Sequence, residues 1–356
     1  MKDEFYIKRA LRLAEKARGM VSPNPMVGAV IVKNGRIISE DFHRRPGTPH
    51  AEALAIGKAG EKARASSLYV NLEPCCHTEK RTPPCTKAII NAGIKKVIIS
   101  MKDPNPRVSG KGITEIQKAG VEVKTGILED RAKKLNEAYI KYITTGNPFV
   151  ILKTAMTLDG KIATPEGQSK WITGEKARKS VHRLRSSVDA IMTAIGTVKA
   201  DNPQLTSRIK GGKNPVRIII DPNLEMPLDA KVLQSPPETI IVTKINNAKS
   251  DYLYKSGINM IYYKEQLYLK WLMEKLGKME IASVLVEGGS SLNAHALEEG
   301  VVDKVMFFIA PIIIGGRESF PAIGGKTFKR LEDAYRIKDV SIKRLGEDIL
   351  IEGYVR

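Results

Sequence analysis

The sequence predicts an α/β protein built as two domains, and three observations lead there. Its 356 residues exceed the ~100–200 expected of one domain. Short runs rich in β-branched residues alternate with stretches of helical periodicity, the pattern of layered α/β folds. The alternation is interrupted at Thr144-Thr145-Gly146-Asn147-Pro148, where Gly stops a helix and Asn-Pro starts a turn. The expected domains are residues 1–146 and 147–356.

The opening stretch MKDEFYIKRALRLAEKARGM reads as an amphipathic helix. Strands follow at 28–33 (GAVIVK), 68–72 (LYVNL) and 97–101 (VIISM), with helices at 50–63, 85–92 and 110–119. Pro49 stands where a helix start tolerates it, and a helix over 129–143 runs into the Gly146 stop. The second half opens with a strand, PFVILKTAM, and a hairpin signal at Asp159-Gly160. Helices are expected at 174–186, 266–276 and 291–299, and strands at 188–194, 216–220, 239–243, 282–286 and 304–314. Pattern alone leaves parallel and mixed sheets undistinguished.

With 42% hydrophobic and 27% charged residues, the chain has the balance of a globular protein rather than a disordered one. The longest apolar run, Val305 to Ile314, is broken by Pro311 and reaches about half the ~20 residues of a membrane helix. Asp3 and Glu4 fall where a secretory signal would begin its apolar core. A cytoplasmic protein without a membrane partner is expected. Lys and Arg number 58 against 39 Asp and Glu, a net charge of +19 that attracts polyanions. The basic residues are scattered singly, so a solvated basic surface is the reading, with no nucleic-acid partner.

All three cysteines, Cys75, Cys76 and Cys85, fall within eleven residues, and His43, His50 and His77 lie in the same N-terminal quarter. An odd, sparse cysteine count in a large chain suits metal ligation better than disulfides. Thr48-Pro49-His50-Ala51-Glu52 reads as a helix start, while Glu73-Pro74-Cys75 follows a strand and opens a helix or loop. If these segments converge, His50, Cys75 and Cys85 supply three ligands and leave a fourth position for water, as in a catalytic zinc site. Glu52 then reaches that water as proton shuttle. Zinc lowers the pKa of such a water toward ~7, and helix N-termini stabilise the thiolates.

The H-x-E and P-C elements resemble those of the zinc-dependent nucleoside and nucleobase deaminases, in which water displaces a ring amino group. Here nine residues separate Cys75 from Cys85, where the general pattern has two. The longer form, EPCCHTEKRTPPC at 73–85, resembles the loop of the riboflavin-pathway pyrimidine deaminases. So do VSPNPMVGAV at 21–30 and DPNP at 103–106 followed by Gly110-Lys111-Gly112. Two departures are visible: Cys76 stands where Ser is usual, and Glu79-Lys80 where one Gly is expected. Pro74 before it and His77 after it keep Cys75 as the ligand, and Cys76 becomes a buried or half-exposed thiol. The resemblance implies a cytidine-deaminase-like three-layer α/β/α domain. It also implies substrate contacts from Asn24, His43, His77, Arg81, Asp103 and Asn105, with Arg81 suited to a phosphate.

The second half carries KTAMTLDGKIA at 153–163, Ser169-Lys170-Trp171-Ile172-Thr173, GTVKADNPQLTSR at 196–208 and VEGGSSLN at 286–293. The G-x-G-x-x-G dinucleotide fingerprint is absent, but a strand, Gly-rich turn and helix start can present backbone N–H groups to a phosphate. Together these stretches resemble the riboflavin-pathway reductase, whose fold is similar to dihydrofolate reductase and whose reductant is NADPH. The resemblance implies substrate contacts from Ser169, Arg185, Leu205, Arg208 and Glu287, the two arginines suiting a phosphate. NADPH contacts would come from Lys153, Ala155, Trp171, Thr197, Asp201 and the Gly288-Gly289-Ser290 turn, with Lys153 and Asp201 near the hydride acceptor.

Over nearly its whole length the chain thus resembles the bifunctional deaminase-reductases of riboflavin biosynthesis. The implied activities are zinc-dependent deamination of 2,5-diamino-6-(5-phosphoribosylamino)pyrimidin-4(3H)-one, then NADPH-dependent reduction of the ribosyl group to ribityl. Phosphorylated pyrimidines are the expected small-molecule partners, and a homo-oligomer, dimer or tetramer, the expected assembly. One alternative is a nucleic-acid deaminase, against which stands the wide scatter of aromatics available for base stacking. The other is a structural-zinc, nucleotide-binding regulator, which has no use for a carboxylate at Glu52.

Overall fold

The computed structural model describes residues 2–77, 82–234, 236–326 and 328–356. The chain divides into two compact units, Met1–Asn147 and Pro148–Arg356.

The first unit runs α1 (Lys2–Glu15), β1 (Gly28–Lys33), β2 (Arg36–Phe42), α2 (Ala51–Ala59), β3 (Ser67–Leu72), α3 (Cys85–Asn91), β4 (Lys96–Met101), α4 (Lys111–Lys118), β5 (Glu122–Thr125), α5 (Glu129–Leu135) and α6 (Glu137–Thr145). Its five-stranded sheet has the order β2-β1-β3-β4-β5. β1 pairs antiparallel with β2 and β3, while β3, β4 and β5 run parallel. The sheet is therefore mixed. The central strands are apolar on both faces because helices cover both, and Ile7, Val30, Ile31, Leu68, Ile98, Ile99 and Ile116 fill the core between them. Gly28 explains how closely α1 lies on β1, since a Cβ there would meet the Ala10 carbonyl oxygen at 2.2 Å.

The expected 50–63 helix ends at Ala59, where Gly60 takes a positive φ, and a single 3-10 turn continues to Ala63. The expected 129–143 helix is two helices broken at Asn136, whose side chain turns inward to bond the Met26 backbone. β2 and β5 were not expected. Both are edge strands carrying charges, so neither forms an apolar run.

The second unit runs β6 (Phe149–Thr157), β7 (Lys161–Ala163), α7 (Glu175–Ser187), β8 (Ala190–Ala194), α8 (Ile195–Asp201), β9 (Val216–Ile220), β10 (Thr239–Thr243), α9 (Ala248–Lys255), β11 (Asn259–Tyr262), α10 (Leu269–Lys278), β12 (Ser283–Val286), α11 (Ser290–Glu298), β13 (Lys304–Ala310), β14 (Phe320–Pro321), β15 (Ile337–Leu345) and β16 (Asp348–Val355). Its nine-stranded sheet has the order β11-β10-β9-β8-β12-β6-β13-β16-β15. Neighbours from β11 through β13 are parallel, and β16 and β15 close the sheet antiparallel. Val150, Leu152, Met192, Ile218, Val242 and Val284 line its core.

The Asp159-Gly160 turn forms, but not as the hairpin expected. β7 leaves β6 and pairs with β14. Asp159 accepts hydrogen bonds from Thr157 Oγ1 and from the Ile314 and Gly315 amides, tying the turn to the segment after β13. β13 accordingly stops at Ala310, before Pro311, rather than running to residue 314. α8, α9, β11, β15 and β16 went unread in the sequence. Among the described residues no helix is long and apolar enough to cross a membrane.

Candidate active sites

In the first unit three backbone features meet. His50 is the N-cap of α2, Cys85 is the first residue of α3, and Cys75 lies in the loop leaving β3. His50 Nδ1 lies 3.4 Å from Cys75 Sγ and 3.4 Å from Cys85 Sγ, and the three ligand atoms fall within 4.8 Å of one another. The Cys85 N–H points at Cys75 Sγ at 3.5 Å, and the Thr86 N–H donates to the Cys75 carbonyl at 3.2 Å. Amides at the start of a helix lower the cost of a thiolate. One imidazole and two sulfurs are a donor set that zinc takes.

Glu52 lies one residue inside α2 and is 3% exposed. Its Oε2 is buried and meets no hydrogen-bond partner among the described residues. Burial, with Cys75 adding to it, pushes the carboxyl up, and His50 opposes this only in part. A buried carboxylate oxygen left open beside this ligand trio fits a site completed by a metal and its water. His50 Nε2 lies 3.4 Å from Thr82 Oγ1, an outer contact that directs Nδ1 toward the sulfurs.

Around this centre stand other residues singled out in the sequence. His43 is buried; its Nε2 lies 3.2 Å from Asn24 Nδ2, its Nδ1 3.3 Å from the Pro49 carbonyl, and its ring centroid 5.1 Å from that of His50. The Asn24 turn is fixed from below: the Asn71 and Asn136 side chains both bond the backbone of Met26, and Asn71 also bonds Gly28. Asp103 is buried, accepting from the Tyr139 hydroxyl at 2.8 Å and the Asn105 N–H at 2.9 Å. Burial raises its carboxyl to about 6 against the opposing effect of those bonds. Asn105 is half-buried and its Oδ1 accepts from the Arg107 N–H. His77 is half-buried two residues beyond Cys75. Cys76 stays outside the ligand trio, its thiol pushed up by burial. Arg81 and the Glu79-Lys80 departure lie outside the described residues.

Tyr139 and Glu73 are among the residues of this site with no role assigned from sequence. Tyr139 carries no local signal, because its partner Asp103 is 36 residues away. Glu73 stood in the quoted EPC stretch, directly after a buried strand, and that position was its only signal.

In the second unit the residues collect at the carboxyl ends of neighbouring parallel strands, where open α/β sheets bind ligands. β6 brings Lys153 and Ala155, the first turn of α8 Thr197, and the turn from β12 into the first residue of α11 Glu287 through Ser290. Glu287 accepts from Arg185 Nε at 2.7 Å and Nη2 at 2.8 Å, and from Lys153 Nζ at 3.4 Å. Burial alone would raise the Glu287 carboxyl, but Arg185 and Lys153 hold it down at about 2. Arg185 also donates to the Thr206 carbonyl at 3.3 Å. Its Nε and Nη2 are thus engaged by Glu287, whereas Arg208 is exposed.

Gly289 is the N-cap of α11, and no side chain caps that helix among the described residues. A Cβ on Gly289 would lie 3.8 Å from Thr197 Oγ1, so this turn adjoins the start of α8. An open helix start beside a Gly-rich turn suits a cofactor phosphate, and NADPH fits this edge. Ser169 donates to Asp201 at 3.2 Å, and Lys170 pairs with the same carboxylate. Leu205 is buried, and both it and Arg208 hold positive φ angles of 55° and 52°. Trp171 is exposed, with the Arg178 guanidinium 4.8 Å from its ring centroid.

The comparisons with known proteins follow the same division. Residues 1–101 match the cytidine and deoxycytidylate deaminase zinc-binding region, and residues 148–351 match the RibD C-terminal domain. The riboflavin biosynthesis protein RibD of Aquifex aeolicus (strain VF5) is 45% identical over 351 residues, covering 98% of this chain and 97% of that protein. The RibD protein of Escherichia coli (strain K12) is 38% identical, with 99% of each chain covered. Among solved structures, Acinetobacter baumannii RibD (form 1) matches with a TM-score of 0.92 at 37% identity, covering 100% of this chain and 99% of that one. A diaminohydroxyphosphoribosylaminopyrimidine deaminase/5-amino-6-(5-phosphoribosylamino)uracil reductase from Thermotoga maritima matches with a TM-score of 0.90 at 39% identity, with 100% and 99% covered.

Fold and site together define a zinc-binding, cytidine-deaminase-like domain joined in one chain to a dihydrofolate-reductase-like reductase domain. The chain belongs to the RibD family of riboflavin biosynthesis proteins. Its function is that of a bifunctional deaminase and reductase, with zinc serving the first activity and NADPH the second.

Proposed function

We propose that the N-terminal unit deaminates 2,5-diamino-6-(5-phosphoribosylamino)pyrimidin-4(3H)-one and that the C-terminal unit then reduces the ribosyl group of the product to ribityl. The observation that carries the reading is the convergence of His50, Cys75 and Cys85 beside the buried Glu52.

His50, Cys75 and Cys85 hold the zinc. When bound, zinc supplies a water acidic enough to act as a nucleophile near neutral pH. Glu52 accepts a proton from that water and returns it to the departing amine, so one water is consumed for each ammonia released. Asn24, His43, His77, Asp103 and Asn105 orient the pyrimidine, and Arg81 meets the phosphate. Because Asp103 holds its proton up to about pH 6, it becomes a full acceptor for ring N–H groups only above that value.

In the reductase, NADPH supplies the hydride. Ala155, Trp171, Thr197, Asp201 and the Gly288-Gly289-Ser290 turn hold the cofactor. Lys153, fixed by Glu287, sits near the hydride acceptor, while Ser169, Arg185, Leu205 and Arg208 frame the substrate. Ring opening of the ribose to an imine or aldehyde gives the hydride a carbon to attack, with the balancing proton drawn from solvent. We place the enzyme in the cytoplasm as a dimer or tetramer, acting on small phosphorylated pyrimidines without nucleic acid.

The test is metal analysis coupled to a two-step assay. Ammonia release requires zinc and no NADPH, and NADPH oxidation begins only after deaminated product exists. Isotope from labelled NADPH appears at ribityl C1. NADPH oxidation by the undeaminated pyrimidine reverses the order and overturns the reading.

A further inference from the structure

We propose that Glu73 is a positioning residue of the deaminase: its buried carboxylate sets the Asp103–Gly110 segment so that Asp103 and Asn105 face the pyrimidine. The inference rests on the reading of those two residues as substrate contacts.

Glu73 leaves β3 two residues before Cys75 and is 2% exposed. Its Oε2 accepts from the Asp103 N–H at 3.2 Å and the Gly110 N–H at 2.9 Å, and its Oε1 accepts from the Ile113 N–H at 3.1 Å. Its own N–H donates to the Met101 carbonyl at 3.0 Å, at the end of β4. One side chain therefore joins the strand that delivers Cys75, the segment that delivers Asp103, and the first turn of α4.

The chemistry at each contact calls for a carboxylate. α4 begins after Gly110, which holds a φ of 83° and has no side chain with which to cap the helix. Glu73 meets that need from a distance of 37 residues in sequence, and an anion is favoured at a helix start. Bonds from backbone amides to a carboxylate are charge-assisted and stronger than neutral ones. An amide in its place keeps one acceptor oxygen and turns an NH2 group toward N–H donors.

The surroundings allow little slack. A Cβ on Gly112 would come within 2.1 Å of the Pro74 carbonyl oxygen and 3.2 Å of Glu73 Oε1. The start of α4 is thereby pressed against the segment that carries the metal ligand. A shift of the Glu73 side chain is transmitted to Asp103 through a single backbone bond. Asp103 in turn is held from its other side by Tyr139.

The experiment uses the full-length, zinc-loaded chain with Glu73→Gln, Asp103→Asn and the double variant. In Glu73→Gln the deamination KM rises by about tenfold or more while kcat changes by less than about threefold. Zinc content and the reductase rate on supplied deaminated substrate match the parent chain, which shows that the variant is folded. Glu73→Gln costs less in the Asp103→Asn background than in the parent chain, because part of its effect runs through Asp103. An unchanged KM in Glu73→Gln beside an impaired Asp103→Asn overturns the positioning role and leaves the substrate reading intact. Loss of zinc from Glu73→Gln, or losses that multiply in the double variant, also overturns it. An unimpaired Asp103→Asn overturns the substrate reading and the inference with it.

Discussion

Two glutamates, one beside each candidate reaction centre, are treated in opposite ways by their surroundings. Glu52 has a buried carboxylate oxygen without a hydrogen-bond partner among the described residues, and its carboxyl is pushed up by burial. Glu287 is buried as well, yet two cations bring three nitrogens to it and hold it down at about 2. Burial raises both, and the difference lies in what was buried with them. The first environment makes a residue that can take up and release a proton. The second makes a fixed negative charge held between Lys153 and Arg185.

The largest expected effect tests the first half of that contrast. Glu52→Gln keeps the shape of the side chain and removes its proton chemistry. Ammonia release should fall by about 10²–10⁴-fold, while the reductase rate on deaminated substrate stays at the parent value. Both rates can be read on one preparation, and equal loss of both would erase the distinction between the two glutamates.

Next comes Arg185→Ala, which strands the Glu287 charge with Lys153 alone. Breaking a buried pair by deleting one partner costs about 3–5 kcal/mol, so denaturant unfolding of the second unit should shift to lower midpoint and NADPH oxidation should fall. An unshifted midpoint would mean that Arg185 is not the principal counter-charge of Glu287.

A smaller effect concerns Asp103, whose carboxyl titrates near about 6. If it accepts from the substrate when ionised, deamination kcat/KM should decline below that pH, by up to about tenfold per unit for a single essential group. The decline should vanish from the profile of Asp103→Asn, whose activity is lower and flat through that range. A parent profile without an inflection near this value would remove Asp103 from the substrate contacts.

The smallest effect is on acid stability. The folded Glu287 titrates at about 2, below its ordinary value of 4.5. Its contribution is therefore fully present above the ordinary value and is lost as pH falls from there toward the folded one. Unfolding free energies measured from pH 5 downward should drop more steeply for the parent chain than for Glu287→Gln. Parallel slopes would contradict the depressed titration.

The fold was readable wherever a strand was buried on both faces. GAVIVK, LYVNL and VIISM in the first unit are mostly apolar runs because helices cover both sides of the sheet. β2, β5 and β15 were not readable. RIISEDF, EVKT and IKDVSIKRL lie at sheet edges with much of their length exposed, and a half-solvated charged strand has the composition of a loop. The Asp159-Gly160 turn misled in another way. Its chemistry was read correctly as a turn, but the choice of partner for β7 was made by β14, far along the chain.

The candidate sites divide along similar lines. Cysteines and a histidine clustered beside helix starts and a strand end point to a metal, and the structure brings the ligand atoms of those three side chains within 4.8 Å. Glu73, Tyr139, Asn71 and Asn136 act through partners 30 to 110 residues away, so spacing could not expose them. Arg185 was read as a phosphate ligand from residue type. Its bonds to Glu287, 102 residues on, are an engagement that residue type could not show.

Amino-acid order by itself determined the α/β character, the metal-ligand chemistry and the resemblance that led to the family, because each depends on residue type and local spacing. Tertiary structure alone decided which carboxylates are free to exchange a proton and which are locked by cations or amides. A charge is governed by what lies within a few ångströms of it, and here those neighbours come from distant parts of the chain.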